Sequence, residues 1–185
     1  MQIIIVDSWL REYLDTKESA QEVAQALSLS SVSVEKVEPA RYASASVAGG
    51  KTNDDYIYDI EITTNRPDLM SVLGIAREAS AILKGARFKD LEIKKVELKE
   101  KFPIEIKNDP KLVNRICAVV MEVENSDSPK KIKDRLEMSG IRSLNNLIDV
   151  TNYVMREIGH PCFALFAAVS NLAASAPGIF ATTSR

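Results

Sequence analysis

The residues between Gly140 and Gly159, GIRSLNNLIDVTNYVMREIG, place Arg142, Asn145, Asn146, Asp149, Thr151 and Asn152 within eleven positions. So many partner-seeking groups rarely share one packed element. Leu147, Ile148, Val150, Val154, Met155 and Ile158 interleave with them. The stretch therefore reads as a boundary, either the wall of a pocket or an interface. An arginine here can hold phosphate or carboxylate oxygens, and Thr and Asn can orient a water or a carbonyl. Asn145, Asn146 and Asp149 are better read as groups that cap turns and satisfy backbone.

Other chemistry is thinly represented. The chain has 185 residues, one His and seven Gly. It shows no P-loop, no dinucleotide glycine pattern, no paired His or Cys ligand spacing and no Gly-x-Ser-x-Gly. No metal site and no catalytic residue is assigned. His160, just past a helix end, reads as a group that meets the last carbonyls. A net charge of -2 argues against strong stand-alone nucleic-acid binding, which needs surplus Lys and Arg on one face. Cys117 and Cys162 lack short spacing and stand among apolar residues, so they read as reduced, buried thiols. MQIIIVDSWL lacks a basic leader and a long apolar core, so no signal peptide and no membrane association are expected. The expected location is the cytoplasm.

The surrounding elements suggest an α+β protein in two parts. Ser8 can cap a short helix with Trp9, Leu10, Tyr13 and Leu14. Asp15 and Glu18 resemble a capping box for a second helix whose Ala20, Val23, Ala24 and Leu27 share a face. SVSVEKVE and YIYDIEIT read as strands, the second with Tyr56, Tyr58, Ile60 and Ile62 inward, joined by a small-residue loop from Ala40 to Asp55. In TTNRPD, Pro67 holds Arg66 extended and Asp68 can cap a helix that buries Val72, Ile75, Ala79 and Ile82 and stops at Gly85. Asn65, Arg66 and Asp68 read as a structural turn that also meets another domain.

A first unit thus spans 1–86, followed by a charged connector over 87–101. A second unit, 102–161, contains FPIEI and RICAVVMEVE, the latter apolar on both faces and so expected at the centre of its sheet. Ser128 and Pro129 suit the start of a helix over KKIKDRLEMS that Gly140 ends, and Leu147 to Ile158 should be helical. From Phe163 to Ser184 no charged residue occurs, and Ala, Ser and Thr dominate. Motif and charge end together, as a shifted reading frame would make them. The segment 162–185 is therefore expected to be a divergent tail without a packing partner.

Two blocks, ITTNRPDLMSVLGIARE and LEMSGIRSLNNLIDVTNYVMREIGHP, together with WLREYLD near the start, resemble the N-terminal part of the bacterial phenylalanine–tRNA ligase beta subunit. Each block keeps Asn, Arg, Pro, Asp and Gly in order over many positions, and the resemblance runs from residue 1 to about 161. It implies a small helical, winged-helix-like first domain, without an inserted tRNA-binding barrel since the loop Ala40 to Asp55 is too short. It also implies the first part of a mixed α/β domain that edits mischarged tRNA, with Arg142, Thr151 and Asn152 lining the pocket. The family's Pro-x-His-Ala-Phe-Asp continuation has Phe163 at the His position and Phe166 at the Asp position here. Activity by this chain alone is therefore not expected. In the full enzyme the implied partners are an alpha subunit, which uses ATP and Mg²⁺ to attach phenylalanine, and tRNA(Phe). The chain itself would bind neither ATP nor Mg²⁺. The alternative is a non-catalytic protein- or RNA-interaction module working through the NRPD turn and the DVTNY face.

Overall fold

The computed structural model describes residues 1–40, 55–93, 107–166 and 177–184. The architecture is α+β. The first unit opens with strand β1 (Gln2–Val6), continues through helix α1 (Asp7–Tyr13), the short strand β2 (Leu14–Asp15) and helix α2 (Ala20–Ser30), and returns in strands β3 (Ser33–Pro39) and β4 (Tyr56–Glu61). A 3-10 turn (Pro67–Leu69), helix α3 (Val72–Ile82) and strand β5 (Arg87–Phe88) complete it. The sheet is antiparallel in the order β1-β4-β3, and β5 pairs with β2.

β1 is not foreseen from sequence, because an isoleucine-rich start lacks the flanking turn signals that mark a strand. It forms because Ile3, Ile5 and Val6 pack into the core while Ile3 pairs with Ile60 and Ile5 with Tyr58. Alternation in β4 is as expected, with Tyr58 and Ile60 fully buried. Helix α2 buries Ala20, Val23, Ala24 and Leu27, and α3 buries Val72, Ile75 and Ala79. These apolar stripes close on the sheet around Trp9, Leu10 and Tyr58.

Helix starts differ from expectation by a few residues. Helix α1 begins at Asp7 without a side-chain cap, and Ser8 instead donates its hydroxyl to Asp55 at 2.6 Å. The capping box of α2 is Ser19 with Glu22, not Asp15 with Glu18: the Ser19 hydroxyl accepts from the Glu22 amide, and Glu22 accepts from the Ser19 amide at 2.7 Å. Ser71, not Asp68, caps α3 by accepting from the Gly74 amide at 2.9 Å. Asp68 lies in the 3-10 turn, where Arg66 binds it.

The second unit holds strand β6 (Arg115–Glu122), helices α4 (Lys130–Met138) and α5 (Asn146–Ile158), and strands β7 (Cys162–Phe166) and β8 (Pro177–Ser184). Its sheet runs β6-β8-β7, all antiparallel. RICAVVMEVE is therefore an edge strand among the described residues rather than a central one, and Val119 and Met121 are about two-fifths exposed. The central place goes to β8, which pairs with β6 on one side and with β7, itself the start of the tail, on the other, so the tail has a backbone partner in β6, contrary to expectation. Cys117 is exposed, also contrary to expectation, and Cys162 is half-buried; both thiols are free. Ser128 does not cap α4; its hydroxyl donates to Asp149, and Pro129 occupies the cap position without a side-chain bond. Gly140 and Gly159 end α4 and α5 in the left-handed region, at φ 77° and 78°. The segment FPIEI, the loop 41–54 and the connector beyond residue 93 lie outside the described residues.

Candidate functional site

The polar stretch of the opening paragraph divides along α5. Asn145 caps the helix by accepting from the Ile148 amide at 3.1 Å. Asn146 acts as a clip: its amide nitrogen donates to the Glu124 carbonyl at 2.8 Å, and its side-chain oxygen accepts from the Ser126 amide at 3.1 Å. Asp149 is fully buried and accepts from three donors: the hydroxyls of Ser128 and Ser143 and the Leu144 amide at 2.9 Å. Burial alone would raise its pKa, but the three hydrogen bonds outweigh that and hold the carboxyl below the usual carboxylate range. These three residues thus do the structural work expected of them.

The expected pocket residues behave differently from one another. Arg142, in the loop between α4 and α5, is exposed and has no hydrogen-bond or ion-pair partner among the described residues. Asn152 is half-buried, and its side chain likewise makes no hydrogen bond there. Thr151 is buried, and its hydroxyl donates back to the Ile148 carbonyl at 2.7 Å. That bond stays within the helix, leaving the hydroxyl's lone pairs to accept. No hydrogen bond joins Arg142 to Thr151 or Asn152, so the three are supplied by one loop and one helix without being locked together. His160 places Nδ1 2.9 Å from the Pro161 carbonyl. Among the described residues no group of three His, Cys, Asp or Glu side chains could hold a metal ion, and no helix is long and apolar enough to cross a membrane.

The NRPD turn is a knot of ion pairs. Arg66 donates to Asp68 at 2.9 Å and to Glu78 of α3 at 2.9 Å, and the Ser31 hydroxyl past α2 donates to the same Glu78 carboxylate. Hydrogen bonds from Arg66 lower the pKa of both acids. Arg66 and Asp68 are thus tied into the turn, whereas Asn65 is exposed with no side-chain hydrogen-bond partner among the described residues.

Sequence reasoning misses the cluster that joins the two units. Glu12 of α1 accepts from both terminal nitrogens of Arg135 in α4, at 3.0 and 2.6 Å, and from Lys131 at 2.9 Å. Arg135, 6% exposed, also donates to the Tyr153 hydroxyl at 2.6 Å, and its guanidinium lies 5.2 Å from the Trp9 ring centre. Trp9 stacks on Tyr153 at 4.4 Å, and Glu157 accepts from the Trp9 ring nitrogen at 3.2 Å and the Tyr13 hydroxyl at 2.5 Å. Arg135 holds Glu12 below the usual carboxylate range, with burial opposing. For Arg135 burial would lower the pKa, but Glu12 and Tyr153 outweigh it and raise it. The one available signal was the single tryptophan followed by Glu12 and Tyr13 at helical spacing, and nothing local marks its partners more than 110 residues away.

Within this second unit, two helices beside an antiparallel sheet, residues 111–167 match the B3/4 domain. The match takes in the whole of β7 and ends one residue after it. The chain is related to the phenylalanine–tRNA ligase beta subunit, resembling its N-terminal part. It is 40% identical over 117 residues to that of Clostridium acetobutylicum, 40% over 112 residues to that of Thermotoga maritima and 42% over 118 residues to that of Coxiella burnetii. These alignments take in 60–61% of this chain and 14% of each relative. The chain thus spans about one-seventh of the length of the curated relatives it matches.

Proposed function

We propose that the chain serves as the N-terminal portion of a phenylalanine–tRNA ligase beta subunit in protein biosynthesis in the cytoplasm. There it contributes to ATP-dependent attachment of phenylalanine to tRNA(Phe) and to editing of mischarged tRNA. The observation that carries the reading is the 40% identity to beta subunits together with a B3/4 match that spans the loop and helix bearing Arg142, Thr151 and Asn152. The first unit is the small winged-helix-like domain of that arrangement. In this reading Arg142 meets an anionic oxygen of the tRNA terminus, Asn152 orients the amino-acid ester or an attacking water, and Thr151 accepts a hydrogen bond. In this reading the alpha subunit supplies the ATP and Mg²⁺ site.

The chain alone is expected to show neither phenylalanine-dependent pyrophosphate exchange nor Tyr-tRNA hydrolysis above the buffer rate, because Phe163 stands where the family has its pocket His. Hydrolysis that is abolished by Arg142→Ala or Asn152→Ala would overturn this and indicate a free-standing hydrolase. A second reading is an interaction module that works through the NRPD turn and the DVTNY face of α5. A non-catalytic interaction module would bind without changing aminoacylation.

A further inference from the structure

The contact between α1 and the helix pair α4–α5 has an unusual composition. The buried core of the first unit is built within residues 3–79, and among the described apolar residues of the second unit only Met138 and Tyr153 pack against it, both partly buried. At the centre of the contact stand ionic and polar bonds instead: Glu12 with Arg135 and Lys131, and Glu157 with Trp9 and Tyr13. The charged and titratable groups facing one another are thus Glu12 and Tyr13 from α1, Lys131 and Arg135 from α4, and Tyr153 and Glu157 from α5. Interfaces of this polar kind separate more readily than apolar ones. A nearly enclosed guanidinium also makes the closed state depend on a single carboxylate, because an unpaired buried charge is strongly disfavoured.

We propose that this clasp is a latch, and that the docking of α4 and α5 on the first unit opens as one step while the first unit stays folded. Glu12 is the latch carboxylate. Opening would expose Trp9 and free α5, with Thr151 and Asn152 on it, to move as a body. Helix α3 also touches α5, and a side chain at Gly159 would come within 3.1 Å of Ser71, so the closed position is sterically defined.

Hydrogen exchange on the full chain at neutral pH tests this. In Glu12→Gln, amides of α4 and α5 should exchange at least about tenfold faster, while those of α2 and β4 keep their rates. The lone tryptophan gives a second readout, since Trp9 emission should shift to the red as its stacking and ring-nitrogen bond are lost. Replacing the pair together, Glu12→Leu with Arg135→Met, removes the buried charge and should restore slow exchange in α4 and α5. Parallel acceleration in α2 and β4 would mean that the two units unfold as one and would overturn the proposal. So would unchanged exchange in α5, or a double variant as open as Glu12→Gln.

Discussion

Asp149 shows how a residue that could do chemistry is instead consumed by structure. Its three donors leave it acting as the tie between the α4 start, the loop before α5 and α5 itself. Asp149→Ala strands two hydroxyls and an amide, and should cost about 2–4 kcal/mol in urea unfolding. The pH dependence has a definite sign. With its folded pKa depressed, Asp149 contributes stability that is fully present above its unfolded value near 3.9, and that stability is lost as pH falls through the folded value. Asp149→Asn should therefore flatten the acid limb of the stability profile, and an unchanged limb would show the carboxylate to be uninvolved. Gly74 makes a steric case of equal sharpness: a Cβ there would lie 2.0 Å from the Asp68 carbonyl oxygen. Gly74→Ala must push the NRPD turn off α3 and should cost about 3 kcal/mol.

At the scale of elements, caps and stripes carry the fold. Ser19→Ala removes one half of a reciprocal cap and should lower stability by about 1 kcal/mol in thermal or urea melts. Helical stripes were legible in the sequence because a period of 3.6 is a local property: the buried face of α2 and the span of α5 match expectation, as does that of α3 except for Ile82, which is only partly buried. The caps were harder. Several Ser and Asp residues precede each helix, and only the geometry picks Ser19 over Asp15 and Ser71 over Asp68. Strand order was not legible, since RICAVVMEVE carries apolar residues on both faces yet lies at an edge among the described residues, while β8, PGIFATTS, takes the centre. Within the candidate site, the structural roles of Asn145, Asn146 and Asp149 were readable from residue type. The Glu12–Arg135 clasp was not, because contacts across 123 residues leave no local pattern.

For the whole molecule, two units meet through a few charged and aromatic groups, and the tail supplies the strands β7 and β8 of the second unit's sheet. Deleting residues 177–184 removes the partner of both β6 and β7. Exchange in β6 should then accelerate, while α2 and β4 are unaffected; a matching loss in the first unit would tie the tail to that core. The measurement that bears most directly on the proposed function is made in a full-length context. Residues 1–161 of this chain would replace the matching segment of the Clostridium acetobutylicum beta subunit, paired with its alpha subunit, and tRNA(Phe) charging and Tyr-tRNA hydrolysis would be followed. We expect charging with phenylalanine to be retained, and Arg142→Ala or Asn152→Ala to slow Tyr-tRNA hydrolysis at least about tenfold with charging unchanged. A folded chimera that fails to charge tRNA(Phe), or one whose hydrolysis ignores both substitutions, would contradict it.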